Sequence, residues 1–162
     1  MNEHRIGLGV DLHRFATDAS SPDNGPLTLG GVIFPGELAL IGHSDADAVA
    51  HAIGDAILGA AGLGDLGTHF PDTDPRWRGA NSLDLLGRCV VLVAENGWAL
   101  VNADCTIITE EPKIAPMRDK MIERLSNAAG GPVHVKATRP EGLGTLGRVE
   151  GVACLAVVLL GR

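Results

Sequence analysis

The residues best suited to chemistry are concentrated in one short segment, 42–57, which reads GHSDADAVAHAIGDAI. Its apolar residues are spaced as on one face of an α-helix, yet His43, Asp45, Asp47 and His51 crowd its start. Residues four apart are neighbours on a helix surface, so Asp47 and His51 share a face. Because that face is bordered by Ala and Gly rather than by Lys and Glu, we expect it to serve a function. The alternative is a His51 that merely packs.

A second set of potential ligands, Asp11-Leu12-His13, ends the first predicted strand, which spans 5–12. Residues two apart on a strand point to the same side, so Asp11 and His13 should converge while Leu12 enters the core. Together with His51 they supply one carboxylate and two imidazoles. That set suits a divalent transition metal and leaves a fourth position open, as in catalytic sites. Zn²⁺ is the simplest choice, and Mn²⁺ or Co²⁺ fits the same ligands.

Composition limits the classes of function. A net charge of −7 disfavours nucleic-acid binding, as do aromatic residues at 3% of the chain and the absence of Tyr. No apolar run reaches membrane-spanning length and no signal-peptide pattern is present, so we expect no membrane partner and a cytoplasmic location. The three cysteines are far apart and odd in number, which favours reduced thiols. At 162 residues we expect one domain, 1–162.

The pattern of apolar residues predicts an α+β (mixed α/β) fold, a single-layer sheet with helices packed on one face. Ser44 or Asp45 is the predicted N-cap of the first helix, so its free N–H groups would lie beside Ser44. For Asp47, support of a metal-bound histidine and capping of the helix remain open alternatives. Strands are predicted at 5–12, 98–109, 133–138 and 151–160, and a hairpin at 27–35. The first helix is predicted to begin within 42–57, after its N-cap, and to end near 62–64, and two more helices are predicted at 81–95 and 113–128. Loops are predicted at 16–26 and 64–79.

Four stretches of the chain resemble the 2-C-methyl-D-erythritol 2,4-cyclodiphosphate synthase family, whose enzymes act in the non-mevalonate route to isoprenoids. They read RIGLGVDLH (5–13), GHSDADAVAHAIGDAILGAAGLGDLGTHFPDTDP (42–75), DCTIITEEPKI (104–114) and VKATRPEGLGTLGRVEG (135–151). The resemblance implies a homotrimer with active sites between subunits. It also implies a phosphorus–oxygen lyase reaction, in which the 2-phosphate of a CDP-linked methylerythritol attacks the β-phosphorus and CMP leaves.

The resemblance also implies roles for individual residues. Asp11, His13 and His51 match the family's zinc ligands, Glu141 matches the ligand of a Mg²⁺ (or Mn²⁺) on the diphosphate, and His43 matches a residue that stabilises the transition state. The residues that match the family's substrate-binding positions are Ser44, Asp65, Gly67, Phe70, Pro71, Asp72, Thr73, Asp74, Thr109, Glu110, Glu111, Pro112, Lys113, Ile114, Ala115, Ala137, Thr138 and Arg148.

The chain departs from the family pattern at a few positions. Ala46 replaces a usual Gly, which we expect to be a small change. Arg139 replaces a Thr that contacts the diphosphate, and we assign it a catalytic role with His43. Glu110 and Glu111 make the nucleotide loop acidic, so Arg139 is expected either to compensate for them or to be a partial lesion. Near the C-terminus Thr145, Leu146 and Val149 replace Phe, Thr and Gly.

Two residues near the C-terminus bear on the trimer. Arg148 and Glu150 are two apart in the approach to the last strand, so three copies of each would form a charged ring on the axis of a trimer. By resemblance, such rings in some members hold an isoprenoid diphosphate, and an inter-subunit salt-bridge network is the alternative. For the whole chain, the alternative to an active cyclase is a trimeric metal-containing binding protein that has lost turnover, or a related lyase for another nucleotide.

Overall fold

A computed structural model describes residues 3–17 and 25–162 of the protein. Most of the loop predicted at 16–26 therefore lies outside the described residues. The described residues form strands and helices in a fixed order along the chain. They are β1 (His4–Arg14), β2 (Leu27–Leu29), β3 (Val32–Phe34), α1 (Ala48–Ala61), α2 (Leu66–His69), a 3₁₀ turn (Pro75–Trp77), α3 (Ser82–Glu95), β4 (Ala99–Ile108), α4 (Arg118–Ala129), β5 (Val133–Thr138), α5 (Gly144–Gly147) and β6 (Gly151–Gly161).

Within the described part of the chain, β1, β6, β4 and β5 form one four-stranded sheet in that order. β4 pairs with β5 in parallel, and β6 runs antiparallel to both β1 and β4. The buried face of this sheet packs on α1 and α4, while α3 packs on both helices. A mixed α+β fold with helices on one face of a sheet is thus confirmed, and so is the hairpin, formed by β2 and β3 around Gly30 and Gly31.

The outer face of β1 differs from the prediction. Leu12 is 63% exposed and does not enter the core. It lies with Ile6, Leu8 and Val10 on the face of the sheet opposite the helices, where Leu155 and Val157 of β6 are also exposed. The alternation was read correctly but assigned to the wrong face, because in an isolated chain the apolar side of a strand is expected to meet the core. These side chains therefore form a contiguous exposed apolar surface on this face of the sheet.

The inner face of β1 carries glycine because α1 approaches it closely. A Cβ added at Gly7 or Gly9 would lie 1.9 Å from the carbonyl oxygen of Ala56 or Ala52. The helix backbone therefore rests almost on the strand backbone. This close approach brings Asp11 and His13, which follow on the same face of β1, within reach of His51 on α1.

The first helix begins at Ala48 and its N-cap is Asp47, so the prediction of Ser44 or Asp45 was wrong. The Asp47 carboxylate accepts from the N–H groups of Val49 and Ala50 and also from Gly30 and Gly31 in the hairpin turn. These N–H groups are therefore satisfied within the protein and are not free beside Ser44. Burial raises the pKa of Asp47 above its ordinary value, against the four donors that favour the charged form.

Two further boundaries differ from the prediction. The third long helix begins at Arg118, and 113–117 forms a turn that packs Ile114 into the core. The predicted loop at 64–79 contains α2 and the 3₁₀ turn. The other predicted elements lie within two residues of their observed bounds, with Asn81 as the N-cap of α3. No helix in the described residues is both long and apolar enough to cross a membrane.

Ala46 and Val149, where the family that the sequence resembles usually has Gly, have left-handed backbone conformations. The φ angle is 56° at Ala46 and 60° at Val149. An L-residue in this region costs of order 1 kcal/mol or more, and a β-branched side chain is least tolerated there. Replacing Gly with Ala46 was expected to be a small change because the side chain is small, but it also adds backbone strain. Val149 is 42% exposed, so little packing offsets its strain.

The two ends of the described chain lie side by side. The Glu3 N–H donates to the Arg162 carbonyl at 3.2 Å, and the Arg162 N–H donates to the Glu3 carbonyl at 3.1 Å. The Arg162 guanidinium also forms an ion pair with Glu3 and lies 4.4 Å from the centre of the Trp98 ring. The outer ends of β1 and β6 are held together by these contacts.

Candidate metal centre and nucleotide cleft

Asp11, His13 and His51 form the one candidate metal group found among the described residues. Their ligand atoms all lie within 4.8 Å of one another. The Nδ1 atoms of both histidines approach the same Asp11 oxygen, at 2.9 Å for His13 and 3.1 Å for His51. Two ring nitrogens and one carboxylate oxygen converging on one point is the arrangement that Zn²⁺ and similar ions use.

The surroundings of His13 support a metal ligand rather than a packed histidine. Its Nδ1 is buried, and it has no hydrogen-bond partner with acceptable geometry among the described residues, despite the nearby carboxylate. Its other ring nitrogen faces the backbone of Gly42, where an added Cβ would lie 2.9 Å away. Gly42 therefore leaves space for the imidazole in the orientation that turns Nδ1 toward Asp11. A cation between them would satisfy the unpaired nitrogen.

The electrostatics of the group favour a bound cation. Burial disfavours the charged form of Asp11, but the close approach and charge of the His13 and His51 imidazoles outweigh it, so the pKa of the carboxyl lies far below its ordinary value. Burial likewise disfavours a charged His51, but Asp11 raises the pKa of the imidazole above its ordinary value. The Asp11 carboxylate thus favours the protonated form of His51, and a divalent cation can take the place of that proton.

A cleft of about 200 Å³ opens beside the group. Its lining residues come from β1, α1, α2, α3 and the connecting segments. They are Asp11, His43, Ser44, His51, Asp55, Leu66, Gly67, Phe70, Asp72, Trp77 and Leu85. His43 contributes a buried Nε2 with no partner among the described residues. Seven of these residues were predicted; the other four are mainly apolar and carry no signal of their own in the sequence.

Other residues predicted for this region have structural contacts instead. Asp65 caps α2 by accepting from the N–H and hydroxyl of Thr68. Asp74 caps the 3₁₀ turn and forms an ion pair with Arg76 at 2.6 Å. Pro71 and Thr73 do not line the cleft within the described protomer. Their predicted substrate contacts remain predictions.

A second cleft, of about 550 Å³, is bounded by the segment after β4 and the end of β5. It brings together nine of the residues predicted for the nucleotide. Its lining consists of Thr109, Glu110, Pro112, Lys113, Ile114, Ala115, Pro116, Ala137, Thr138 and Arg139. Glu111 lies outside it, on a neighbouring surface with Pro35 and Glu37. No residue lines both this cleft and the metal-side cleft in the described protomer.

Arg139 and Glu110 are paired at the edge of the second cleft. The Arg139 guanidinium lies 2.9 Å from a Glu110 oxygen and 4.0 Å from Glu111. The other Glu110 oxygen accepts from the Gly142 N–H at 3.3 Å. The predicted pairing of Arg139 with the acidic loop is thus present in the structure. The hydrogen bond from Gly142 also connects Glu110 to the turn that contains Glu141.

Glu141 and Arg148 lie apart from the metal group. Glu141 is exposed in the turn after β5 with a φ angle of 53°, and it is not part of the metal group found in the described residues. Arg148 follows α5 and pairs with Glu150 at 2.6 Å. Neither residue lines the two clefts of the described protomer.

Sequence analysis missed Ser82 and Asp45 as neighbours of the metal group. The Ser82 hydroxyl lies 2.8 Å from His51 Nε2, the ring nitrogen that faces away from Asp11. It also donates to the Asp45 carboxylate, which accepts from the Ser82 N–H at 3.1 Å. Ser82 is only 1% exposed. Nothing in the sequence placed this serine, at the start of the helix predicted at 81–95, beside His51.

Comparison with known proteins identifies the family of the chain. The YgbB family model matches residues 4–161. The chain belongs to the YgbB family. This YgbB-family chain is 52% identical over 159 residues to the 2-C-methyl-D-erythritol 2,4-cyclodiphosphate synthase of Geobacillus thermodenitrificans, with 96% of each chain covered. It also superimposes on the solved CDP complex of IspF from Plasmodium falciparum with a TM-score of 0.82 and 32% identity, covering 99% of this chain and 97% of that one.

A longer relative contains the same unit. The chain is 55% identical over 159 residues to the bifunctional enzyme IspD/IspF of Anaeromyxobacter dehalogenans. The match covers 96% of this chain but only 39% of that protein. The similarity therefore concerns one part of the bifunctional relative.

Proposed function

We propose that this chain is a metal-dependent cyclase. It converts 4-CDP-2-C-methyl-D-erythritol 2-phosphate to 2-C-methyl-D-erythritol 2,4-cyclodiphosphate and CMP in isoprenoid precursor biosynthesis. The observation that carries the proposal is the Asp11–His13–His51 group at the wall of a cleft, in a chain whose full-length relatives bear the name of this synthase. In the reaction, a 2-phosphate oxygen bonds to the β-phosphorus. The bond from that phosphorus to the bridging oxygen breaks, and CMP leaves with the α-phosphate.

Displacement at phosphorus requires alignment and charge neutralisation more than covalent participation by the protein. A divalent cation on Asp11, His13 and His51 would supply Lewis-acid neutralisation of a phosphate oxygen. Zn²⁺ suits the ligand set best. His43 offers its unpaired Nε2 to the phosphate end, and Ser44 offers a hydroxyl from the same cleft wall. Phe70 and Gly67 supply the apolar side of the cleft for the methylerythritol part.

The second cleft suits the cytidine diphosphate part of the substrate. The structure of the Plasmodium falciparum relative is a CDP complex. In this chain the second cleft combines apolar walls with Lys113, Thr138 and Arg139, which can bind phosphate oxygens. We assign Glu141 to the Mg²⁺ or Mn²⁺ that accompanies the diphosphate.

The proposal includes a homotrimer with each active site between subunits. Two observations support it. The metal-side and nucleotide clefts share no residue in the described protomer, although one substrate must span both. The apolar outer face of β1 and β6 is uncovered, and burial against two more copies would remove it from water. Near the axis, the Arg148–Glu150 pair could take an isoprenoid diphosphate. An unchanged thermal midpoint with geranyl diphosphate would overturn that last assignment.

Turnover of the CDP substrate, followed by ³¹P NMR with Zn²⁺ and Mg²⁺ present, tests the function directly. We expect a cyclic diphosphate and CMP in equal amounts. His43→Ala should fold, bind Zn²⁺ and lose most of the rate. A wild-type protein that binds zinc and the substrate but forms no product would support the alternative, a trimeric metal-containing binding protein.

A further inference from the structure

A hydrogen-bonded chain runs from the proposed metal ligand His51 into the protein interior. His51 Nδ1 faces Asp11, so His51 Nε2 is free to make a hydrogen bond on the opposite side of the ring. There it meets two hydroxyls, Ser82 Oγ at 2.8 Å and Ser44 Oγ at 3.1 Å. Once Nδ1 binds a metal, the neutral imidazole carries its proton on Nε2 and donates it to a hydroxyl oxygen.

The two hydroxyls differ in what else they can reach. Ser44 lines the metal-side cleft and can turn toward a bound phosphate. Ser82 does not line the cleft and is almost completely buried, so it cannot contact a ligand there. Its hydroxyl proton is directed to Asp45, which leaves a lone pair of the same oxygen for His51.

Asp45 is itself fixed in place. Its carboxylate accepts from the N–H groups of Ser82 and Asp47, and its own N–H donates to the Ala80 carbonyl at 3.1 Å. The Ser82 N–H belongs to the first turn of α3, where the helix dipole favours a negative charge. In the hydrogen-bonded series Asp45–Ser82–His51, the Asp45 carboxylate is therefore held in place and each hydrogen bond has a defined donor.

We propose that Ser82, held by Asp45, is a positioning residue for the metal: it fixes the ring orientation and tautomer of His51, while Ser44 remains available to the substrate. This deepens the metal site on which the proposed function rests. Outer hydrogen bonds to metal-bound histidines commonly change metal affinity by about 10- to 100-fold. Here that contribution comes from a helix, α3, which supplies no ligand of its own.

The test is Zn²⁺ affinity without nucleotide, measured by competition with a chelating dye. Ser82→Ala should weaken Zn²⁺ binding about tenfold or more. Ser44→Ala should weaken it less, because Ser82 keeps its hydrogen bond to His51. Ser82→Thr, which retains the hydroxyl, should recover affinity relative to Ser82→Ala. Ser126→Ala is the matched control. It also removes a serine hydrogen bond, because Ser126 Oγ accepts from the Val133 N–H at 3.0 Å, but Ser126 lies on α4 away from the site.

A merely structural Ser82 gives a different pattern. In that case Ser82→Ala lowers the thermal midpoint of the metal-free protein, as Ser126→Ala does, but binds Zn²⁺ like the wild type, and the proposal is overturned. Asp45→Asn keeps the shape of Asp45 and should also weaken Zn²⁺ binding; unchanged affinity in that variant overturns the proposal even if Ser82→Ala does not fold. Wild-type turnover is assayed separately. If the wild type turns over its substrate but Ser82→Ala binds Zn²⁺ with wild-type affinity, this inference fails and the proposed cyclase stands. If Ser82→Ala weakens Zn²⁺ binding but the wild type forms no product, the proposed cyclase fails and this inference stands.

Discussion

Asp11 and His51 meet across two elements: an oxygen of the strand residue lies 3.1 Å from Nδ1 of the helix residue, although the two are 40 positions apart in the chain. The contact depends on the glycines that let α1 rest on β1. Five experiments test the site and the fold that carries it.

Removal of any ligand should empty the metal site. Asp11→Ala, His13→Ala and His51→Ala should each lower bound zinc and abolish turnover, because three ligands are the minimum for tight binding at an open site. Elemental analysis of the purified proteins measures the zinc. His134→Ala is the control, since His134 is exposed on β5 outside the metal group. Full zinc in all three ligand variants would contradict the site, and a His51 that merely packs predicts lost stability with zinc retained.

The thermal midpoint of the protein should change with pH in opposite directions with and without bound metal. In the metal-free protein the raised pKa of His51 contributes stability to the fold. This contribution is fully present below the ordinary pKa of 6.5, and it is lost as the pH rises through the pKa of His51 in the folded protein. The lowered pKa of Asp11 adds stability above 3.8, which is lost as the pH falls through its folded value. As the pH rises from 6.5 through the folded-state pKa of His51, the thermal midpoint should therefore fall without metal and rise with Zn²⁺, whose ligands must be deprotonated. Parallel curves would contradict the coupling.

Arg139 should act together with the acidic loop. Arg139→Thr alone should lower kcat/KM, because it removes a phosphate donor and leaves Glu110 uncompensated. Adding Glu110→Gln and Glu111→Ala should recover much of the loss, a non-additivity expected of groups in contact. Lys136→Thr is the control, since Lys136 pairs with Asp104 away from the second cleft. A higher kcat/KM for Arg139→Thr would identify Arg139 as a partial lesion.

Val149→Gly should stabilise the protein. Val149 has a φ angle of 60°, and relief of that strain should outweigh the added freedom of the unfolded chain by about 1 kcal/mol. The comparison is the thermal midpoint at one fixed protein concentration. Val91→Gly, at an exposed position within α3, should have the opposite sign. A destabilised Val149→Gly would mean that the side chain makes contacts in the assembly that exceed the strain.

Leu8→Asp should break the assembly. Leu8 is 63% exposed on the outer face of β1, and a charge buried in an inter-subunit contact is costly. Sedimentation should show a trimer for the wild type and monomers for the variant. Leu143→Asp, at a position that is 75% exposed but off the sheet, should remain a trimer. A monomeric wild type would contradict the proposed oligomer.

The sequence predicted the element order and the metal group because both depend on local spacing. The set Asp11, His13 and His51 follows from a two-residue repeat on a strand and one histidine on a helix. The N-cap was misassigned because HSDAD offers several capping residues, and only the hairpin glycines, which bind Asp47, decide among them. The face of Leu12 was predicted wrongly because a chain read alone gives no sign of which side of its sheet packs on the helices.

Ser82 shows a further limit of sequence reasoning. It lies 31 positions from His51 and belongs to no recognised ligand pattern. Its contact results from the packing of α3 on α1, which no short motif encodes. The residues of the second cleft were easier to group from the sequence, because they lie in two short segments next to the paired strands β4 and β5.

The paired ends of β1 and β6 have a consequence for engineering. Since the backbones of Glu3 and Arg162 bond to each other, a short linker could join them without stretching either strand. The chain could then be reopened in an exposed turn, such as Asn96-Gly97, to give a circular permutant with the same sheet. New termini there would emerge from the helical side, at the C-terminal end of α3, and would leave the apolar outer face of β1 and β6 unobstructed.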